Sequence, residues 1–341
     1  MAEPRPLDHG LAEVVRRARR PLPGGTTGLL ALLVALLVSF ALLRPGQFLT
    51  IGTAQSMMFQ LPELGLLALA MVIPLISGGL NLAIIATANQ CALLMAYIMR
   101  SSGAGPAAGI ALALLAGLAL CATIGFITGQ IVARTGAHPI LVTLGVMSVV
   151  DGVSISLTRG TVISGFPDAF LAIGNATFLG VPVPFLILAG AAAAVGLILT
   201  RTPFGISIYM LGSNLEATRY SGIDTRRVLV GIYTLSGVLC FVAACLMMAR
   251  FNSASAGYAQ SYLLVTILAA VLGGVDPFGG FGRIGGLMVA LVILQVIASG
   301  FNLLGLSQHL KLAIWGLTLV AVMAVKFLAT SLFARRRRIK S

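Results

Sequence analysis

Asp151 is the residue of this chain best placed to do chemistry, because it is an acid inside a long apolar run, Pro139 to Leu157. A carboxylate held in hydrocarbon is costly, so it pairs with a neighbour, reaches water or serves a path for ions or solutes. At the helical rise it would stand about 18 Å from Pro139, with Arg159 on roughly the same face about 12 Å further on. A proton-relay role for Asp151 would belong to a secondary transporter. Glu63 lies beside Pro62, where it can satisfy freed backbone or face a cavity. Asn81, Asn89, Gln90, Gln130, Ser148, Gln295 and Asn302 add polar groups in or near other apolar segments. Amides and hydroxyls both donate and accept hydrogen bonds, which suits a neutral polyhydroxylated solute. The same groups also join helices to one another. Asn81, Asn89, Gln90, Ser148, Asp151 and Asn302 are the candidates for a translocation path.

The glycine-rich run Gly273-Gly274 through Asp276, Gly279, Gly280, Gly282 and Arg283 to Gly285-Gly286 invites comparison with a phosphate-binding loop. That chemistry needs G-x-x-x-x-G-K-[ST], with the lysine reaching the nucleotide phosphates. The three lysines are Lys311, Lys326 and Lys340, and none follows a glycine. ATP hydrolysis by this chain is excluded on that ground. The glycines read instead as a tight cytoplasmic turn between spans, with close helix packing at Gly285-Gly286. His9, His138 and His309 are scattered, and neither H-E-x-x-H nor G-x-S-x-G occurs. Cys91, Cys121, Cys240 and Cys245 lack metal-ligand spacing and read as small buried hydrophobes. The expectation is a chain that is not an enzyme and has no metal site.

The elements carrying these residues are helices in a membrane. The chain of 341 residues is 58% hydrophobic and 9% charged, where a soluble domain carries about 25% charged residues. Apolar runs of about 20 residues indicate helical spans, and the short alternating segments of a β-barrel are absent. Ten spans are predicted: 28–43, 54–77, 82–99, 107–132, 139–157, 181–200, 228–249, 261–274, 284–300 and 311–330. They divide the chain into a basic N-terminal segment 1–27, a membrane domain 28–330 and a basic tail 331–341. The net charge of +13 does not point to nucleic acid, because the charges cluster at span ends. With the N-terminus in the cytoplasm, the inner segments hold 16 basic residues and the outer segments five. That asymmetry favours an even number of spans with both termini inside. Eight spans, with 261–274 and one other segment re-entrant, is the competing count. The basic run before 28–43 resembles a signal peptide, but no A-x-A site follows, so an uncleaved first span is expected.

Several spans are broken. Pro62 and Pro74 interrupt the second, and the 261–274 segment is about 21 Å long against a ~30 Å hydrocarbon core. Irregular helices at membrane depth belong inside protein or along a cavity. Outside the spans, segment 158–180 carries Phe166, Phe170 and Phe178 and reads as a short helix on the periplasmic face. Residues 201–227 differ from everything around them. Arg201, Glu216, Arg219, Asp224, Arg226 and Arg227 place six of the chain's 31 charges in these 27 positions, between two apolar spans. Such a loop is a surface offered to a partner.

Four stretches, in order, carry a family resemblance: Ser77-Gly78-Gly79-Leu80-Asn81-Leu82; Thr143-Leu144-Gly145-Val146-Met147-Ser148; Arg201 through Phe204-Gly205 and Glu216-Ala217 to Gly222-Ile223; and Gly273-Gly274 through Arg283-Ile284 to Asn302-Leu303-Leu304-Gly305. The chain resembles the permease subunits of bacterial ribose-type sugar ATP-binding-cassette importers, a group that includes permeases for other monosaccharides and for autoinducer-2. The resemblance implies an all-α integral membrane protein of about ten helices with a cytoplasmic coupling helix containing Glu216, Ala217, Arg219 and Gly222. It also implies an inner-membrane location and several partners: separate ATPase subunits that bind the ATP and Mg, a periplasmic solute-binding protein, and a second permease copy or paralogue. Where the family usually has Asp-Leu-Ser after its glycine pair, this chain has Asn81-Leu82-Ala83. Asp151 stands where a basic residue is often found. These departures leave the solute open and allow one half of a heterodimeric pair. A proton-coupled transporter using Asp151, an amino-acid importer permease and a non-transporting scaffold are the competing readings.

Overall fold

The computed structural model describes residues 25–44, 46–101, 105–307, 309–311 and 313–320. The basic tail, Lys326 and nearly all of the basic N-terminal segment lie outside them. The helices are α1 (Gly25–Leu43), α2 (Ile51–Ile76), α3 (Ile84–Ser101), α4 (Pro106–Thr135), α5 (Pro139–Thr158), α6 (Asp168–Asn175), α7 (Val183–Arg201), α8 (Pro203–Ser213), α9 (Leu215–Tyr220), α10 (Thr225–Phe251), α11 (Tyr262–Leu272) and α12 (Ile284–Leu303). A further short apolar helix runs from His309 to Val320. Among the described residues, six helices are long and apolar enough to cross a membrane, namely α2, α4, α5, α7, α10 and α12. The fold is that of an all-α membrane protein. Helix α11 has 11 residues, about 16 Å, and is even shorter than the 261–274 span predicted for it.

Helix α2 is the axis of the fold. Leu61 through Ile76 are all buried, with α10, α11, α7 and α12 packed along it. An interior proline removes one N–H and leaves the carbonyl four residues back without its helical donor. For Pro74 that carbonyl is Ala70 O, and the Ser236 hydroxyl of α10 donates to it at 2.8 Å. Asn81 Nδ2 in turn donates to Ser236 Oγ at 2.9 Å, while Asn81 Oδ1 accepts from Ala83 N. The carbonyl freed by Pro74 is thus satisfied through a chain of polar groups on three segments, within a helix that runs on to Ile76. Near Pro62, Arg250 of α10 donates to Phe59 O at 3.2 Å and forms an ion pair with Glu63 at 2.7 Å.

Glycines set the closest helix crossings. A Cβ on Gly125 of α4 would lie 2.4 Å from Tyr233 O of α10, and one on Gly237 of α10 would lie 2.3 Å from Cys121 O. Bare backbone at these points lets α4 and α10 approach, as membrane helices commonly do.

Segment 158–180 contains a short helix, α6, packed against α10 and α7. Phe170 is fully buried and meets Phe166 edge-on, while Phe178 is exposed. Strand β1 (Ile163–Ser164) pairs antiparallel with β4 (Ser253–Ala254), and Asn175 Nδ2 donates to Ala249 O at 3.1 Å. Strands β2 (Thr177–Phe178) and β3 (Val181–Pro182) form a hairpin whose turn places Leu179 and Gly180 at positive φ, as a two-residue hairpin turn requires.

Candidate functional site

The charged loop 201–227 folds into two short helices and a turn, each end fixed by its own sequence. Thr202 Oγ1 accepts from Gly205 N and caps α8, and Asn214 Oδ1 accepts from Ala217 N at 2.9 Å and caps α9. Such caps satisfy helix-end N–H groups that have no partner within the helix. Gly222 turns the chain at φ +81°, and Asp224 caps α10 while pairing with Arg227 at 2.9 Å. Thr218 faces inward, whereas Leu215, Glu216, Ala217, Arg219 and Tyr220 are exposed. Phe278 and Phe281 of the glycine loop are exposed as well.

Behind α9 lies a cavity of about 770 Å³. Glu216, Arg219, Asp224 and Arg226 line one side, and Arg134 with His138, from the α4–α5 connection, line the other. Ser77, Gly78 and Gly79 at the end of α2 line it too.

The glycine run meets this loop backbone to backbone. Gly280 N donates to Ile76 O at 2.8 Å. A Cβ on Gly212 of α8 would sit 2.0 Å from that same carbonyl, and one on Gly279 would sit 2.7 Å from Gly78 Cα and 2.9 Å from Gly212 O. Gly78, Gly274, Gly279 and Gly280 all have positive φ, which L side chains resist. Tyr209 of α8 donates its hydroxyl to Gly282 O at 2.8 Å. Three segments distant in sequence therefore form one joint with no side chains at its centre. Gly286 packs tightly on Gly273, but a Cβ on Gly285 would meet open space, which corrects the pairwise packing expected there. Arg283 precedes α12 and is exposed.

The path candidates are not brought to one surface. Asn81 is committed to the polar chain at Pro74, and Asn89 Nδ2 donates to Ala256 O and Tyr258 O at 2.9 Å each. Gln90 accepts from Ser154 of α5. Ser148 is exposed on α5 and donates back to Leu144 O, with Asp151 part-exposed one turn on. Asn302 accepts from Lys311 and lines a second cavity beside the middle of α2, away from the loop. Ser236, Gln60 and the Arg250 partner of Glu63 went unrecognised in the sequence. Gln295, Ser299 and Asn302 recur at i, i+4 and i+7, and that spacing is the signal that joins them.

Residues 53–323 match the family described as branched-chain amino acid transport system / permease component. The chain belongs to this permease family. The permease is 32% identical over 265 residues to the autoinducer 2 import system permease protein LsrD of Yersinia enterocolitica, covering 76% of this chain and 78% of that one. It is 31% identical over 302 residues to LsrD of Klebsiella pneumoniae subsp. pneumoniae, covering 87% and 89%. It is 29% identical over 300 residues to LsrD of Salmonella typhi, covering 86% and 89%. No solved structure matches. The resemblance to ribose-type importer permeases holds, and the protein is a multi-pass membrane transport permease rather than an enzyme.

Proposed function

We propose that this permease is the membrane subunit of an ATP-binding-cassette importer for a sugar or sugar-like solute. The solute would be delivered by a periplasmic binding protein, and transport would be driven by separate ATPase subunits holding ATP and Mg. The function of its relatives, autoinducer 2 import, supports the solute class. The joint of Gly78, Gly212 and Gly279 carries the mechanism, because it ties the exposed α8–α9 loop to the central helix through close backbone contacts. Helix α9, with Glu216, Ala217, Arg219 and Gly222, is the coupling helix in this reading. A push on it reaches α2 as a rigid-body movement. Ten spans with both termini cytoplasmic put that loop on the ATPase side, in keeping with the basic-residue asymmetry. A second copy or a paralogue completes the path.

Reconstitution tests the reading. Proteoliposomes holding the permease with its ATPase and binding protein should take up autoinducer 2 only with ATP. Uptake down the gradient by the permease alone would overturn it.

A further inference from the structure

Midway along α2, a cavity of about 280 Å³ opens between α2, α11, α12 and helix His309–Val320. Its wall carries Gln60, Tyr262, Gln295, Asn302, Lys311 and Trp315. Its floor is apolar, since Leu64, Val265 and Leu294 line it and all three are buried. The volume lies just under the ~300–1,000 Å³ of drug-sized ligand sites, so it suits a monosaccharide-sized solute.

The amides on this wall are weakly engaged. Gln295 Nε2 donates to Gln60 Oε1 and to Ser299 Oγ at 3.3 Å each, beyond the usual N–H···O range of about 2.7–3.2 Å. Gln60 keeps its Nε2 donors and Gln295 its Oε1 acceptor for hydroxyl groups that enter between them, and the two long Gln295 contacts are easily exchanged. Trp315 leans on Phe301, with ring centroids 6.2 Å apart, and adds an aromatic surface for the C–H face of a ring. No acid lines the cavity among the described residues. The nearby Glu63 on α2 does not line the cavity and pairs with Arg250 through Oε1, while its Oε2 is buried without a partner. The ammonium of an amino acid would find no counter-charge here, while Lys311 already provides one positive charge.

We propose that this cavity is a receiving site for a neutral, polyhydroxylated solute of monosaccharide size, gripped by the amides of Gln60 and Gln295 and closed below by Leu64, Val265 and Leu294. The solute class rests on the importer reading. The site itself rests on the cavity's lining.

The test uses the full complex in proteoliposomes without ATP. Gln295→Cys should react with a membrane-impermeant maleimide from the binding-protein side, since the four native cysteines are all buried. Autoinducer 2 or D-ribose should slow that reaction by roughly tenfold, the scale of a few ordinary hydrogen bonds, and L-leucine should not. Asn302→Cys, exposed at the mouth, serves the same purpose if Gln295→Cys does not insert. Absence of labelling, absence of protection by either polyol, or protection by L-leucine overturns the proposal. A parallel uptake assay separates the two readings. Loss of ATP dependence there would sink the importer reading while leaving a protected cavity standing, and loss of protection with intact ATP dependence would do the reverse.

Discussion

The C-terminal end of α2 and its middle are built from different materials. At Ser77–Gly79 the helix ends in a joint of bare backbone against Gly212 and Gly279, beside a cavity rimmed with charge. About 20 Å away, Gln60 and Leu64 of the same helix face a smaller cavity lined by amides and aromatic rings. Backbone-to-backbone contact leaves no side chain to change rotamer, so a displacement at one partner must appear in the other. Side-chain amides can exchange one partner for another at small cost. In the proposed mechanism the C-terminal end transmits and the middle receives. Sixteen consecutive buried residues, Leu61 to Ile76, span both and hold this stretch of the helix in the core.

The comparison breaks first at the buried ion pair near the receiving middle. Arg250→Met leaves the Glu63 carboxylate buried without a counter-charge, and losing one partner of such a pair costs about 3–5 kcal/mol. A large fall in thermal midpoint of the purified protein is expected. Glu63→Gln combined with Arg250→Met should recover much of the loss, since a neutral pair carries no desolvated charge. If the double variant is as unstable as Arg250→Met alone, the pair is not what holds α10 against α2.

At the transmitting end the sensitive atom is a Cβ. Gly212→Ala would place it 2.0 Å from Ile76 O, and relieving that overlap should cost about 1–3 kcal/mol. ATP-dependent uptake should fall with it, because the joint must open to accommodate the methyl group. Gly285→Ala, in open space, should change stability by no more than about 0.5 kcal/mol. Equal thermal shifts from the two substitutions would mean that the joint is not tightly packed.

The polar chain at Pro74 gives a smaller effect with an internal control. Ser236→Ala strands Ala70 O and Asn81 Nδ2, at about 1–3 kcal/mol for buried groups left unpaired. With Pro74→Ala in the background, a helical N–H returns to Ala70 O, and the effect of Ser236→Ala should shrink. An unchanged effect in a double-mutant cycle would show that the serine does not act through the carbonyl that Pro74 frees.

Much of this arrangement was legible in the sequence, and the remainder was hidden for identifiable reasons. The charged loop was plain, because charge between apolar spans can only be solvated or docked. The Asn214 and Asp224 caps sit where such residues belong. The roles of Asn81 and Asn89 depended on partners far away in the chain, Ser236 and the 256–258 carbonyls, and no spacing rule reaches across that distance. Gln295, Ser299 and Asn302 share a helix face by their spacing, but only Gln295 and Asn302 stand out in the sequence, since a lone serine in an apolar run draws no notice. Gly285 and Gly286 look alike in sequence and differ only in what stands opposite each one.

The coupling loop itself should show the smallest stability effect and the cleanest functional one. Glu216 is exposed on α9 and makes none of the described hydrogen bonds that hold the loop. Glu216→Ala should therefore leave the thermal midpoint of the isolated permease nearly unchanged, within about 0.5 kcal/mol. If α9 is the element that meets the ATPase, the same substitution removes an interface contact, and ATP-dependent uptake should drop by about tenfold, the equivalent of ~1.4 kcal/mol. Maleimide protection at Gln295→Cys should persist, since the receiving middle does not need ATP. Gly222→Ala should add a local strain of about 1–2 kcal/mol from a Cβ in left-handed backbone and uncouple in the same way. Normal uptake in both variants would reduce residues 201–227 to a linker, and the division of α2 into a transmitting end and a receiving middle would lose its first half.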